Sequence, residues 1–305
     1  MATTNNFNGG VLPADFEPSV STYFGLIEKI TEQAIDFATG YNPLDFLDKG
    51  KWENGKTLEQ SVIELAEAYD FDGTAVDVFA QSNPNVIAYM FGDWTEKQYA
   101  QTVSRLDIMG VLNNDKSVED VSTKIVSSLT EGEYFEDYNT LKALLLFSKD
   151  TDNNSNYIAQ ANEDAITTGA DLLELIRNVI DNMKFTNNKY YGNGVDLKSR
   201  TRAENIVVLL PVNVKNRLDV QTLAYVYQLQ KDEIVAEIHT IDTEDNIVYI
   251  FDKNAYGSRT RLRELTSQRN EKALKENFWL TTSRLYYFSP IFKATYIDAS
   301  GMFGE

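Results

Sequence analysis

The clearest periodicity in the chain runs from Ser117 to Lys149. Apolar residues fall at Val118, Val121, Ile125 and Leu129, then at Tyr134, Tyr138, Leu141 and Leu145. Steps of three and four place them on one stripe of an α-helix, so the spacing predicts a long amphipathic spine. Ser117 is suited to cap it. Gly132 marks a kink or break, since glycine costs about 1 kcal/mol against alanine inside a helix. The polar run Thr151 to Asn156 ends it.

Residues 1 to 20 read as an extended arm. Val20 to Thr39 is helical through Tyr23, Ile27, Ile30, Ala34 and Phe37, and Gly40 closes it. Between Trp52 and Leu106, two aromatic and β-branched runs, Thr57 to Phe71 and Asn85 to Ser104, are separated by the turn signals Asp72-Gly73 and Asn83-Pro84. They predict a long two-stranded excursion. A lone two-stranded ribbon is marginal in water, so it needs a surface to pack on. Asp164 to Lys184 is a second amphipathic helix, and Asn205 to Pro211 reads as a buried strand stopped by proline. Asp219 caps a helix through Leu229. Ile234 to Ile241 and Asn246 to Phe251 are strands, with a turn near Asn254 and Gly257. Residues 164 to 257 thus predict a compact mixed sheet with helices on it. Leu274 to Phe288 alternates with period two, Pro290 interrupts, and Ile291 to Ile297 resumes as strand.

At 305 residues, with 43% hydrophobic content, 17 Tyr and 16 Phe, the chain can bury a full core in one large domain or two. No apolar run approaches the length of about eighteen residues that would suggest a membrane span. The opening MATTNNFNGG has no basic stretch followed by an apolar one, unlike a signal peptide. The absence of cysteine removes disulfides, thiolate metal sites and thiol nucleophiles together. The formal net charge is −18, from 46 acidic against 28 basic residues. Such a surface repels nucleic acid overall, so any contact with it must be local.

Catalytic readings start weakly. Asp150, Asp152 and Asn154 have calcium-loop spacing, but Ser155 stands where glycine is needed and Ala161 where glutamate is. Tyr191-Gly192-Asn193-Gly194 lacks the third glycine of a dinucleotide fingerprint and reads as a turn. Asp70 and Asp72 form a pair of a kind that chance supplies among 46 acids. His239, the single histidine, lies in a strand pattern without a serine or cysteine motif to partner it, and reads as structural. Arg259, Arg261 and Arg263 alternate on one face of a strand, with Arg200, Arg202 and Arg269 elsewhere in the same half. Two readings stay open for them. They are solvated or paired surface, or they are intersubunit ion pairs or a basic spot turned towards nucleic acid.

The ordered set of patterns resembles the major capsid protein of a small short-tailed phage, an α+β chain with a Hong Kong 97-like shell fold. The resemblance covers most of the chain. It rests on Tyr23-Phe24-Gly25, the Trp52 to Leu106 excursion and Asp137-Tyr138-Asn139-Thr140-Leu141. It continues through Asn205 to Pro211, Leu218-Asp219-Val220, Leu223-Ala224 and Gln268-Arg269-Asn270. Asn277-Phe278-Trp279-Leu280 and Ser289-Pro290-Ile291-Phe292-Lys293-Ala294 complete it.

The resemblance implies a division of the chain. Residues 1–49 would be the N-terminal arm and helix, 50–106 an extended β-hairpin loop lying on a neighbouring subunit, and 107–163 the peripheral domain with the spine. Residues 164–257 would be the axial domain at hexamer and pentamer centres, and 258–305 the returning peripheral strands. It also implies a non-enzymatic subunit of an icosahedral virion shell, without cofactor, metal or membrane contact, assembled in the host cytoplasm. Its partners would be itself, a scaffolding protein, a portal protein and packaged double-stranded DNA. Arg259, Arg261, Arg263, Trp52, Trp94 and Arg105 are the candidate intersubunit or DNA-facing contacts. Ending at Glu305 leaves no decoration domain expected, and no feature marks a cross-linking triad. Two other readings are an encapsulin-type compartment enclosing a cargo enzyme, and a soluble α+β hydrolase using a carboxylate pair.

Overall fold

The computed structural model describes residues 41–53, 57–66, 68, 83–104, 115–149, 158–162, 164–191, 195, 197–218 and 236–303, with side chains of the long helix described from Ser127 onward. The expected N-terminal helix, Asp70 and Asp72, Arg105, the Asp150 to Asn154 triplet, Gly192 to Gly194 and the helix from Asp219 to Leu229 lie outside the described residues. The chain divides into two compact units. The smaller comprises Met1–Gly40, Tyr99–Gly132 and Leu265–Leu280, and the larger Tyr41–Gln98, Glu133–Glu264 and Thr281–Glu305.

The larger unit is built round a five-stranded mixed sheet. Its strands are β5 (Ala159–Gln160), β6 (Ile206–Pro211), β7 (Glu237–Ile241), β8 (Ile247–Asp252) and β11 (Ala294–Asp298), in the order β5-β11-β8-β6-β7. Every residue of β6 and β8 is buried. Both faces are covered, which is why these strands read as continuous apolar runs and not as alternating ones.

Alternation still decides which layer each side chain enters. Ile206, Val208 and Leu210 face α2 (Gly169–Lys184), meeting Leu172, Ile176, Val179, Ile180 and Met183. Val207, Leu209, Tyr249 and Phe251 face the other layer, with Leu44, Leu47, Leu141 and Leu145. Thr168 caps α2 by accepting from the Asp171 amide at 3.2 Å, so the helix starts five residues later than Asp164. The sheet expected from residues 164 to 257 is completed by β5 and β11 from outside that span. β11 pairs antiparallel with β8 and parallel with β5. The final strand after Pro290 therefore belongs to this sheet, because its residues Ala294 to Ile297 are apolar enough for a position covered on both faces.

A second sheet has the order β1-β9-β10-β4, from β1 (Asp48–Lys51), β4 (Trp94–Ser104), β9 (Tyr256–Asn270) and β10 (Lys275–Phe288). The excursion is thus split. β2 (Leu58–Ile63) and β3 (Val86–Phe91) pair antiparallel as a ribbon, while the run after Gly92-Asp93 turns away to form β4. Gly257 lies in β9 and not in a turn. A Cβ there would sit 2.6 Å from the Tyr287 hydroxyl, so glycine is what lets Tyr287 lie against the strand.

The spine is one helix, α1 (Asp115–Ser148), running unbroken through Gly132 and past Ser117, which lies inside it and not at its cap. Its inward positions differ from the apolar stripe at one turn. Leu129, Glu133, Asp137, Leu141 and Leu145 are all buried at four-residue steps, while Tyr134 is 38% exposed. In the smaller unit, the Thr102 hydroxyl bonds to Asn277 at 2.8 Å, and Val103 and Leu129 are buried.

Two outcomes follow from this packing. Among the described residues, a Cβ on Gly132 would meet Tyr99 Cδ1 alone, at an ordinary 3.7 Å. Gly132→Ala is therefore expected to stabilise the chain by about 1 kcal/mol in urea denaturation, through helix propensity alone. Lys293 is 1% exposed, and its Nζ donates to the Phe185 carbonyl at 3.1 Å and to Asn187 Oδ1 at 2.6 Å. Burial pushes its pKa down from 10.5 to about 8. The neutral amine keeps two N–H donors for its two acceptors. Above about pH 8 the unfolded chain holds a proton that the folded chain has released, so stability rises with pH from there towards 10. Lys293→Met is expected to flatten that rise in denaturation curves collected between about pH 7.5 and 9.5, below the range where ordinary tyrosines titrate.

Candidate functional site

The charged face of β9 meets α1 and the start of β4 in the larger unit. Arg259, Arg261 and Arg263 stand at alternate positions of one strand, as the spacing predicts, and each is engaged within the chain. Arg259 donates to the Lys49 carbonyl and lies 5.3 Å from the centroid of the Trp52 ring. Arg261 donates to Glu96 at 2.8 Å and lies 4.8 Å from the Trp94 ring centroid. Arg263 Nε donates to Glu133 Oε2 at 2.9 Å. Five of the six singled-out residues are thus brought into one ladder of arginines with two tryptophans stacked on it. Within the single chain all three arginines are engaged by its own residues.

Inward of the ladder lies a cluster that periodicity alone missed. Arg284 of β10 donates through Nη1 to Asp137 at 2.7 Å and through Nη2 to Glu133 at 2.8 Å. The hydroxyl of Tyr286 donates to Asp137 Oδ1 at 2.6 Å, and Asn42 Nδ2 donates to Asp137 Oδ2 at 3.0 Å. All three charged groups are under 10% exposed. Burial raises the Asp137 pKa, with Arg284 and Tyr286 working against that rise. For Arg284, burial pulls down but Asp137 and Glu133 outweigh it and hold the guanidinium above its ordinary value. The available signal was the i, i+4 spacing of Glu133 and Asp137 on the same stripe as Leu129 and Leu141, paired with an arginine inside the apolar alternation of β10.

His239 stacks on Phe46, with ring centroids 4.1 Å apart, and its Nε2 lies 2.8 Å from Glu237. Glu237 also accepts from Lys253 at 3.1 Å. The histidine is a structural member of β7.

The ribbon has two unlike faces. Leu58 and Phe91 pack on Leu285, Tyr287, Trp52 and Trp94, while Val62 and Tyr89 pack with Tyr191, Leu197 and Ile291. The surface that the ribbon needs is thus supplied on one side by its own chain. The other face carries Ile63, Val86 and Met90, exposed by 63%, 54% and 72%, with Ala88 between them. Cross-strand register places Ile63 opposite Val86, with Ala88 and Met90 opposite Ser61 and Glu59. The exposed apolar stripe therefore runs along β3, and such a stripe on a paired ribbon suits association.

The Phi29-like phage major capsid protein family model matches residues 3–297. The major capsid protein of Bacillus phage GA-1 is 22% identical over 285 residues, covering 90% of this chain and 59% of that protein. That of Bacillus phage PZA is 19% identical over 268 residues, covering 83% and 58%. The chain therefore spans about three fifths of the length of these curated relatives. Among solved structures, a chain from the capsid of Staphylococcus phage Andhra superposes with a TM-score of 0.73 at 13% identity, over 87% of this chain and 86% of that one.

The ladder and the buried cluster predict opposite sensitivities. Arg284→Met leaves buried Asp137 without its cation and Glu133 with Arg263 alone, and is expected to cost about 3–5 kcal/mol. Arg261→Met, whose partner Glu96 is 71% exposed, is expected to cost at most about 1 kcal/mol. Chemical denaturation of the two variants beside the parent chain checks the contrast.

Proposed function

The chain belongs to the Phi29-like phage major capsid protein family, and on that premise we propose that it is the repeating subunit of an icosahedral phage head with a Hong Kong 97-like shell fold, enclosing double-stranded DNA. The family is structural, and the match over residues 3–297 is the observation that carries this reading. In it, residues 50–106 form the extended loop laid on a neighbour, 164–257 the axial domain at hexamer and pentamer centres, and 107–163 with 258–305 the peripheral domain. The N-terminal arm is 1–49. A scaffolding protein and a portal protein direct assembly in the host cytoplasm, and the product is the virion.

The ribbon supports the loop's role by its chemistry. Its inner face is satisfied at home, and the outer stripe of Ile63, Val86 and Met90 is apolar and exposed. Full burial of each such side chain is worth about 1.5–3 kcal/mol, enough in a many-fold repeated contact to favour assembly strongly. A net charge of −18 per copy opposes assembly, so shell formation is expected to improve with added salt.

Negative-stain electron microscopy with a sizing column tests the reading. Closed shells, rings or sheets are expected, and a monomer of about 35 kDa at high concentration would contradict it. Shells purified from infected cells are expected to hold DNA, and protein cargo in its place would overturn that part. Val86→Glu with Met90→Glu is expected to abolish assembly while leaving the melting temperature of the free chain unchanged. Normal shells from that variant would remove the ribbon's outer face from the contact.

A further inference from the structure

Between Lys184 and Arg202 the chain carries five basic residues, Lys184, Lys189, Lys198, Arg200 and Arg202, against one acid, Asp196, a net of +4. With the whole at −18, the rest of the chain stands at −22. This is the local basic surface that an acidic chain needs if it is to touch a polyanion at all.

The structure arranges these charges in a row. Lys198, Arg200 and Arg202 are exposed at alternate positions, while Ser199 and Thr201 between them are half-buried and 3% exposed, and Leu197 just before the row is 1% exposed. Two-residue steps of extended chain are about 6.6 Å, so the row spans about 13 Å. It is held from behind. Ser199 pairs with Asn187 through both amides at 3.2 and 3.3 Å, and the Thr201 amide donates to the Met183 carbonyl at 2.8 Å. Lys293 fixes Asn187 and Phe185 from the sheet side. A shallow cleft beside the row is lined by Lys184 and by Arg200 to Glu204. Phe185, 69% exposed, follows Lys184 in the chain.

Glu204 lies 3.7 Å from Arg202, both largely exposed, and Asp181 lies 3.0 Å from Lys184. Among the described residues no carboxylate pairs with Arg200. Neighbouring charges in the row, about 6.6 Å apart, lie within a Debye length and repel, and a fixed row of them favours an anion that is itself linear.

We propose that the row Lys198-Arg200-Arg202, with Lys184 and Phe185 beside it, is a sequence-independent contact for the phosphate backbone of nucleic acid. A duplex carries a dense line of phosphate charge along each strand, so three cations about 6.6 Å apart can each meet a phosphate without needing to read a base. The proposal deepens the reading of the chain as the subunit of a DNA-filled head and rests on it.

Fluorescence anisotropy of the full chain with a random-sequence duplex of about 30 base pairs, across a salt series, tests the site. Binding by the parent chain is expected to weaken with salt. Replacing all three row residues (Lys198→Ser, Arg200→Ser, Arg202→Ser) is expected to reduce the slope of log affinity against log salt by about 2.7, and Arg200→Ser alone by about 0.9. Exchanging them for the other basic type (Lys198→Arg, Arg200→Lys, Arg202→Lys) is expected to keep the slope. No binding by the parent, or an unchanged slope in the serine variants, overturns the proposal. So does a result in which these variants lose only self-association, which would make an acidic surface of a second copy the true partner. Microscopy of the same preparations separates the two levels. Shells with an unchanged slope reject this site and leave the capsid reading standing, whereas no shells from any preparation reject the reading itself.

Discussion

The buried fork of Arg284 is the interaction on which the larger unit depends. One guanidinium of β10 is shared between two carboxylates one turn apart on α1, and Asn42 and Tyr286 fill the remaining places on Asp137. Such a cluster is costly to bury and gains little over a well-packed apolar alternative. Its value lies in geometry. A planar donor fork and carboxylates at i and i+4 fit in one register only, so the helix cannot slide or rotate against the strand as two apolar surfaces can. Among the described residues Arg284 Nε finds no partner, part of the cost of that placement.

With the register set, the surroundings sort themselves. Glu133 has a second acceptor oxygen, and Arg263 uses it, which carries the ion-pair network from the interior out along β9. Arg261 and Arg259 continue the row, each lying over a tryptophan from a neighbouring segment. Basic residues that look available in the sequence are therefore occupied in the fold. Elsewhere the surface is apolar at Ile63, Val86 and Met90 of the ribbon and basic on the row that precedes β6.

In the proposed role these two surfaces would serve a subunit that meets copies of itself and a polyanion while bearing a net charge of −18. Apolar contact is short-ranged and largely insensitive to ionic strength, so it can join copies that repel at a distance. Charge contact with a phosphate backbone is salt-dependent and sequence-blind.

Much of the architecture was legible in the order of residues. The helix under Leu129, Leu141 and Leu145, the buried β6, the strands on either side of Asp242 and the alternation of β10 follow from periods of 3.6 and 2, which local spacing determines. So did the alternate placement of Arg259, Arg261 and Arg263. Other features depended on what lay opposite. Tyr134 and Glu133 are adjacent, and only an arginine facing the helix from β10 makes the acid the buried one. Gly132 stays helical because packing outweighs a propensity cost of about 1 kcal/mol. The excursion divides at Gly92 because β4 finds β10 as a neighbour, and β11 joins a sheet begun far earlier in the chain because β8 offers it an edge. Spacing along a chain determines which face a side chain takes, but the neighbour across that face comes from distant residues, and only the folded chain brings them there.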